Sequence, residues 1–156
     1  MSAIAREALH LIRSQRWAAL ATLEDGEPMA SMVAYALAPG DSSLLLLLSQ
    51  LAPHTRRLID HPRASLAIAE PDDHEGDPQR LQRVTLSGRA AAIRKADPEF
   101  VDAAEQYIER FPDALPRFEL GDFVLFRFVP EEVRYVGGLA RTARLRWPGL
   151  ADPGEV

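Results

Sequence analysis

The sequence predicts a mainly β domain, about seven short antiparallel strands closing into a barrel with three helices outside it. Three observations carry this. Strand-length apolar segments alternate with turn signals along most of the 156 residues. Asp25-Gly26 sits between two such segments and supplies the positive φ that a tight hairpin requires. Leu44–Leu48 is an uninterrupted apolar run, the pattern of a strand buried on both faces. Seven strands punctuated by three helical stretches fit a closed or nearly closed antiparallel barrel.

The elements follow in order. Ile4, Ala8, Leu11 and Ile12 have helical spacing, and the helix ends near Ser14. Trp17–Leu23 and Pro28–Leu37 are the arms of the hairpin. Pro39-Gly40-Asp41 is a second turn, and Ser43–Ser49 the third strand. A short helix runs from Pro53, a residue suited to the first helical position, and stops at Asp60 before His61-Pro62. Arg63–Glu70 is the fourth strand and Pro71–Pro78 an acidic, solvated loop. Gln82–Ile93 is the fifth strand, with Gly88 marking a bulge. Asp97-Pro98-Glu99 reads as a capped helix start, followed by Phe100, Val101, Ala104, Tyr107, Ile108 and Phe111 on one side and ended by Pro112. Phe123–Val129 and Glu132–Val136 are the last two strands, separated by Pro130 and closed by Gly137-Gly138. The domain is predicted to cover residues 1–141, with 142–156 a tail of low structural content.

Composition narrows the function. An apolar content of 47% fits a single folded domain. The absence of cysteine excludes disulfides, thiolate metal sites and cysteine nucleophiles, and fits a cytoplasmic protein. No apolar run approaches the roughly 20 residues of a membrane span. A net charge of −5 argues against general nucleic-acid binding. The four histidines, His10, His54, His61 and His74, lack metal-ligand spacing, so no metal site is predicted. Walker-type and dinucleotide-type glycine loops are also missing, and no serine stands in a nucleophile elbow.

The joint between the third strand and the short helix carries the strongest local chemistry. Ser49, His54, Thr55, Arg56 and Arg57 crowd around it. Free N–H groups at a helix start attract anions, and adjacent arginines strengthen the hold on a phosphate. An ordinary capped helix with two solvated arginines gives the same local pattern.

Several segments together resemble the FMN-binding split-barrel family typified by pyridoxamine 5′-phosphate oxidases, and most closely its haem-utilisation (HugZ-like) branch. They include Ala21-Thr-Leu with Gly26-Glu-Pro-Met-Ala-Ser31, Leu48-Ser-Gln-Leu51 with His54-Thr-Arg56, Asp60-His-Pro-Arg-Ala-Ser-Leu66, Arg83-Val-Thr-Leu-Ser-Gly88, Phe111-Pro-Asp-Ala114, Gly121-Asp-Phe123 and Arg134-Tyr-Val-Gly-Gly138. The resemblance implies a split β-barrel and a homodimer with FMN in the groove between subunits. It would place the flavin phosphate on Ser49, Thr55, Arg56 and Arg57. Met32 and Val33 would lie beside the ring, with Arg83 reaching across from the other subunit and Arg141 contacting the cofactor. The implied activity is a flavin-dependent oxidoreductase acting on an unidentified small molecule. No catalytic residue is singled out.

Departures from the family pattern matter as much. The tyrosine-arginine-serine substrate grip of a true pyridoxamine phosphate oxidase is reduced to Tyr107, with Phe111 and Leu115 at the next two positions, and no histidine follows His74. Vitamin B6 oxidation is therefore disfavoured. Where the haem branch reads Gly-Gly-Phe-Gly-(Arg/Lys)-Ala, this chain has Gly137-Gly-Leu-Ala-Arg-Thr142. The alternative expectation is a non-enzymatic module of that branch that binds haem or another ligand. Homodimerisation is also expected from the bulky residues of Leu44–Leu48 and Phe123–Val129, which offer more apolar surface than one small barrel encloses.

Overall fold

The computed structural model describes residues 1–150. Helix α1 (Ala3–Ser14) opens the chain, and the Ser2 side chain caps it by accepting the Ala5 N–H at 3.1 Å. Its buried face is Ala5, Ala8, Leu9, Leu11 and Ile12. The strands are β1 (Trp17–Glu24), β2 (Glu27–Ala34), β3 (Ala36–Leu37), β4 (Leu44–Ser49), β5 (Arg63–Ala69), β6 (Gln82–Ile93), β7 (Phe123–Gly137) and β8 (Thr142–Arg146). The remaining helices are α2 (Pro53–Asp60), α3 (Phe100–Arg110) and α4 (Leu115–Glu119).

The strands form one antiparallel sheet in the order β2-β1-β5-β6-β7-β4-β3, with β8 added against β7. β2 and β3 stand at opposite ends of this order, yet only Tyr35 separates them in the chain. The sheet must therefore curl back on itself, which makes an open, split barrel. The β1–β2 hairpin turns at Asp25 and Gly26, both with positive φ (52° and 79°), as the turn chemistry demands.

The sheet separates two cores. Inside the barrel, Leu44, Leu46 and Leu48 pack with Leu66, Leu86, Phe126, Phe128 and the inner face of α1. On the other side, Leu45 and Leu47 pack with Ile93, Tyr107 and Leu125 beneath α3. Each fully buried leucine contributes about 1.5–3 kcal/mol relative to exposure, so the leucine run ties both layers to one strand.

The structure corrects four expectations. The last two predicted strands are one, β7, which continues through Pro130 because a register shift between Ser87 and Gly88 puts the proline at a bulge. There its missing N–H costs no ladder bond. Residues 142–146 are β8 rather than tail; Leu145 is buried, and Trp147 donates its indole N–H to the Ser42 carbonyl at 2.9 Å. Pro153 and Gly154 of the predicted tail lie outside the described residues. Helix α3 begins at Phe100 without a side-chain cap, because the Asp97 carboxylate accepts from the Arg94 N–H. Finally, Leu44–Leu48 and Leu125, Phe126 and Phe128 are not surplus apolar surface but are buried within one chain by the two cores; of Phe123–Val129, Phe123 and Val124 are half-buried and Val129 is exposed.

Candidate functional site

One exposed apolar surface lies on the outer face of β1, β2, β5, β6 and β7. Strand alternation sends Leu20, Leu66, Leu86 and Val133 inward and leaves their neighbours outside. The register brings Ala19 opposite both Met32 and Ala67, Ala67 opposite Thr85, and Thr85 opposite Arg134. Trp17 and Met32 are 56% and 48% exposed. Between these residues runs a groove of about 440 Å³, floored by Ala19, Ala67 and Ala69 and edged by Arg83 and Arg134. Alanines from separate strands keep the floor shallow, which suits a flat apolar ligand, and the arginines give one edge positive charge. The volume falls within the range of about 300–1,000 Å³ typical of small-molecule and cofactor sites. The Arg83 guanidinium donates from Nη1 to the Gln79 and Leu81 carbonyls at 2.8 and 3.1 Å, which holds it at the groove edge.

The joint between β4 and α2 is built differently. The Thr55 hydroxyl is buried and donates to the Ser49 carbonyl at 2.5 Å, and the Ser49 hydroxyl accepts the Leu51 N–H at 3.2 Å. Arg57 reaches the β1–β2 hairpin, donating to the Glu27 carbonyl at 3.1 Å and pairing with Glu24 at 3.4 Å. Arg56 remains exposed, 4.0 Å from the same carboxylate. His54 Nδ1 lies 3.0 Å from the Ser31 hydroxyl, and burial holds its pKa below the usual histidine value.

Of the residues predicted for the cofactor, the structure unites Met32 and Arg83 at the groove. Val33 points the opposite way and packs in the inner core. Ser49, Thr55, Arg56 and Arg57 gather at the joint, and none lines the groove. Arg141 sits on the turn between β7 and β8 and pairs with Glu7 at 2.9 Å. That ion pair and a hydrogen bond from the Tyr135 phenol lower the Glu7 pKa, while burial, then Glu7, raises that of Tyr135 to about 12. Sequence reading missed Trp17, Ala19, Ala67 and Arg134. Their only signal is the alternation of their strands, because the residues come from three strands, β1, β5 and β7, that are not consecutive in the chain.

A curled antiparallel sheet with an open seam and a ligand-sized groove on its outer face defines a split-barrel protein. The match of residues 4–137 to the family model described as pyridoxamine 5′-phosphate oxidase makes the assignment specific: the chain belongs to that family. Within it, the chain is 38% identical to the chloroplastic heme oxygenase HOZ of Arabidopsis thaliana over 117 residues, 74% of this chain and 34% of the plant protein. It is 25% identical to the heme oxygenase HutZ of Vibrio cholerae over 135 residues, 85% of this chain and 76% of that protein. Among solved structures, a heme binding protein from Mycobacterium smegmatis superposes with a TM-score of 0.82 at 34% identity, covering 94% of this chain and 59% of that one. The chain thus spans about a third of the plant relative and under two-thirds of the mycobacterial one.

These relatives overturn the expectation of FMN. Their names carry haem, not flavin, and point to the haem-utilisation branch. Of the groups read as a phosphate cradle, Thr55 donates to a backbone carbonyl and Arg57 is held by the hairpin, while Arg56 stays exposed.

Proposed function

We propose that this chain binds haem in the groove on the outer sheet face, and that a second copy of the barrel covers that face. The groove itself carries the reading: a shallow alanine floor between Trp17 and Met32, with Arg83 and Arg134 along one edge. A porphyrin is flat and apolar with acidic substituents on one side, and this surface is complementary in shape and charge. Trp17 and Met32 would cover the faces of the macrocycle and the arginines would meet its carboxylates. Bound haem would supply redox-active iron, while the protein supplies apolar walls and orientation. The same exposed Trp17 and Met32 give a second copy an apolar surface to bury.

Haemin titration tests this directly. A Soret band that survives desalting, with thermal stabilisation of about 2.7 kcal/mol at a hundredfold excess over Kd, is expected. No band and no stabilisation would overturn the reading. Light scattering should give a dimer that Trp17→Glu dissociates with loss of haem uptake; a stable monomer that still holds haem would refute the shared groove. The names of the two sequence relatives favour a second reading, haem degradation. Bleaching of the Soret band under ascorbate and oxygen, abolished with Trp17→Glu, would support turnover; a stable band would leave binding alone.

A further inference from the structure

We infer that Arg134, acting with Arg83, clamps the carboxylate groups of the groove's ligand; the inference rests on the haem reading above. The observation behind it is a pair of like-charge contacts across the sheet. Arg63 and Arg89 stand directly opposite each other on β5 and β6. Such pairing is unfavourable by itself, and here Glu131 relieves it, bridging both guanidiniums at 3.3 Å. The second pair, Arg134 and Arg144 on β7 and β8, has no such bridge. Arg144 is drawn away to Glu132 at 2.8 Å. Arg134 is exposed and, among the described residues, forms neither an ion pair nor a side-chain hydrogen bond. Glu132 feels Arg134 through space, but its pKa is lowered chiefly by Arg144.

Arg134 does have a second cation beside it. It faces Thr85 across the ladder while Arg83 faces Val136, so the two arginines are diagonal neighbours on one face and line the same groove. Arg83 commits only Nη1 to backbone carbonyls, leaving Nε and Nη2 uncommitted. Two guanidiniums on the rim of an apolar trough, with no bridging acid like the one the neighbouring pair has, complement an anion supplied by the ligand. Planar carboxylates suit guanidinium geometry and form charge-assisted hydrogen bonds. The mid-groove position of the alanine floor then leaves the macrocycle on apolar surface and its acidic edge on Arg83 and Arg134.

The test compares haemin with haemin dimethyl ester, which keeps the macrocycle and lacks the anions, on the full chain. Arg134→Gln should weaken haemin binding about tenfold while changing the ester's affinity less than twofold, and Arg134→Lys should recover part of the loss. The ligand-free melting temperature of Arg134→Gln should not fall, because the substitution relieves an unbridged like-charge pair. An unchanged haemin affinity, or equal losses for both ligands, would overturn the clamp while leaving haem binding intact. Uptake of neither ligand by the unaltered chain would overturn the haem reading, and the clamp with it.

Discussion

Gly88→Ala tests the tightest packing in the sheet. A Cβ at this position would lie 2.1 Å from the Val129 carbonyl oxygen, 2.8 Å from the Pro130 Cα and 2.9 Å from the Val129 carbonyl carbon. All three are backbone atoms, so no side chain can rotate away. The β6–β7 ladder must open at the bulge where the register shifts between Ser87 and Gly88. Overpacking of buried positions costs about 1–3 kcal/mol when neighbours can adjust. With a rigid backbone on every side, the top of that range, about 3 kcal/mol, is expected. For a chain of this length that lowers the melting temperature by roughly 6–12 °C, a large part of a total stability of about 5–15 kcal/mol. Thermal unfolding followed by circular dichroism reads the change. Gly121→Ala is the control, since an added Cβ there meets nothing within 4 Å. A Gly88→Ala midpoint within about 2 °C of the parent would show that the bulge yields easily and that the close approach is not a constraint.

Three further outcomes are expected. Thr22→Val should stabilise the fold by about 1 kcal/mol in urea unfolding, because the buried Thr22 hydroxyl has no partner among the described residues; a loss of stability would reveal one. Arg57→Ala should cost roughly 1–3 kcal/mol and speed hydrogen exchange around residues 24–27, since it removes the contacts to Glu24 and the Glu27 carbonyl. Arg56→Ala, at an exposed side chain, should stay within about 0.5 kcal/mol; equal effects would contradict the different burial of the two arginines. Tyr135 titrates higher folded than unfolded, so its contribution is complete below pH about 10 and is lost as pH rises toward about 12. Tyr135→Phe should flatten stability over that window, and an unaltered alkaline limb would assign it to other groups.

The sequence carried the fold where local chemistry and burial agree. Asp25-Gly26 announced its hairpin, Leu44–Leu48 its two buried faces, and Gly88 its bulge. β8 stayed hidden because only Leu145 of its five residues is buried, while Arg144 and Arg146 remain outside, so no apolar pattern marks it. Pro130 misled for a related reason: a proline breaks a ladder only where its N–H is needed, and a bulge removes that need. The groove was harder still. Met32 and Arg83 were legible through resemblance, but Ala19, Ala67 and Arg134 become neighbours only once four strands are in register. At the β4–α2 joint the sequence displayed the cluster of hydroxyls and arginines, but not that Thr55 and Arg57 have partners within the chain while Arg56 stays exposed.

The pairing of β4 with β7 has a consequence for synthesis. Leu44 lies opposite Phe128, about 80 residues further along the chain. At typical translation rates the five leucines wait roughly 4–16 s for the strand that covers them. In that interval they form a short, uncharged, β-prone segment, the kind that self-associates when its edge is free. Nascent chains should therefore depend on holding factors at the ribosome, and slower translation of residues 50–120 should lower the soluble yield without changing the stability of the finished protein.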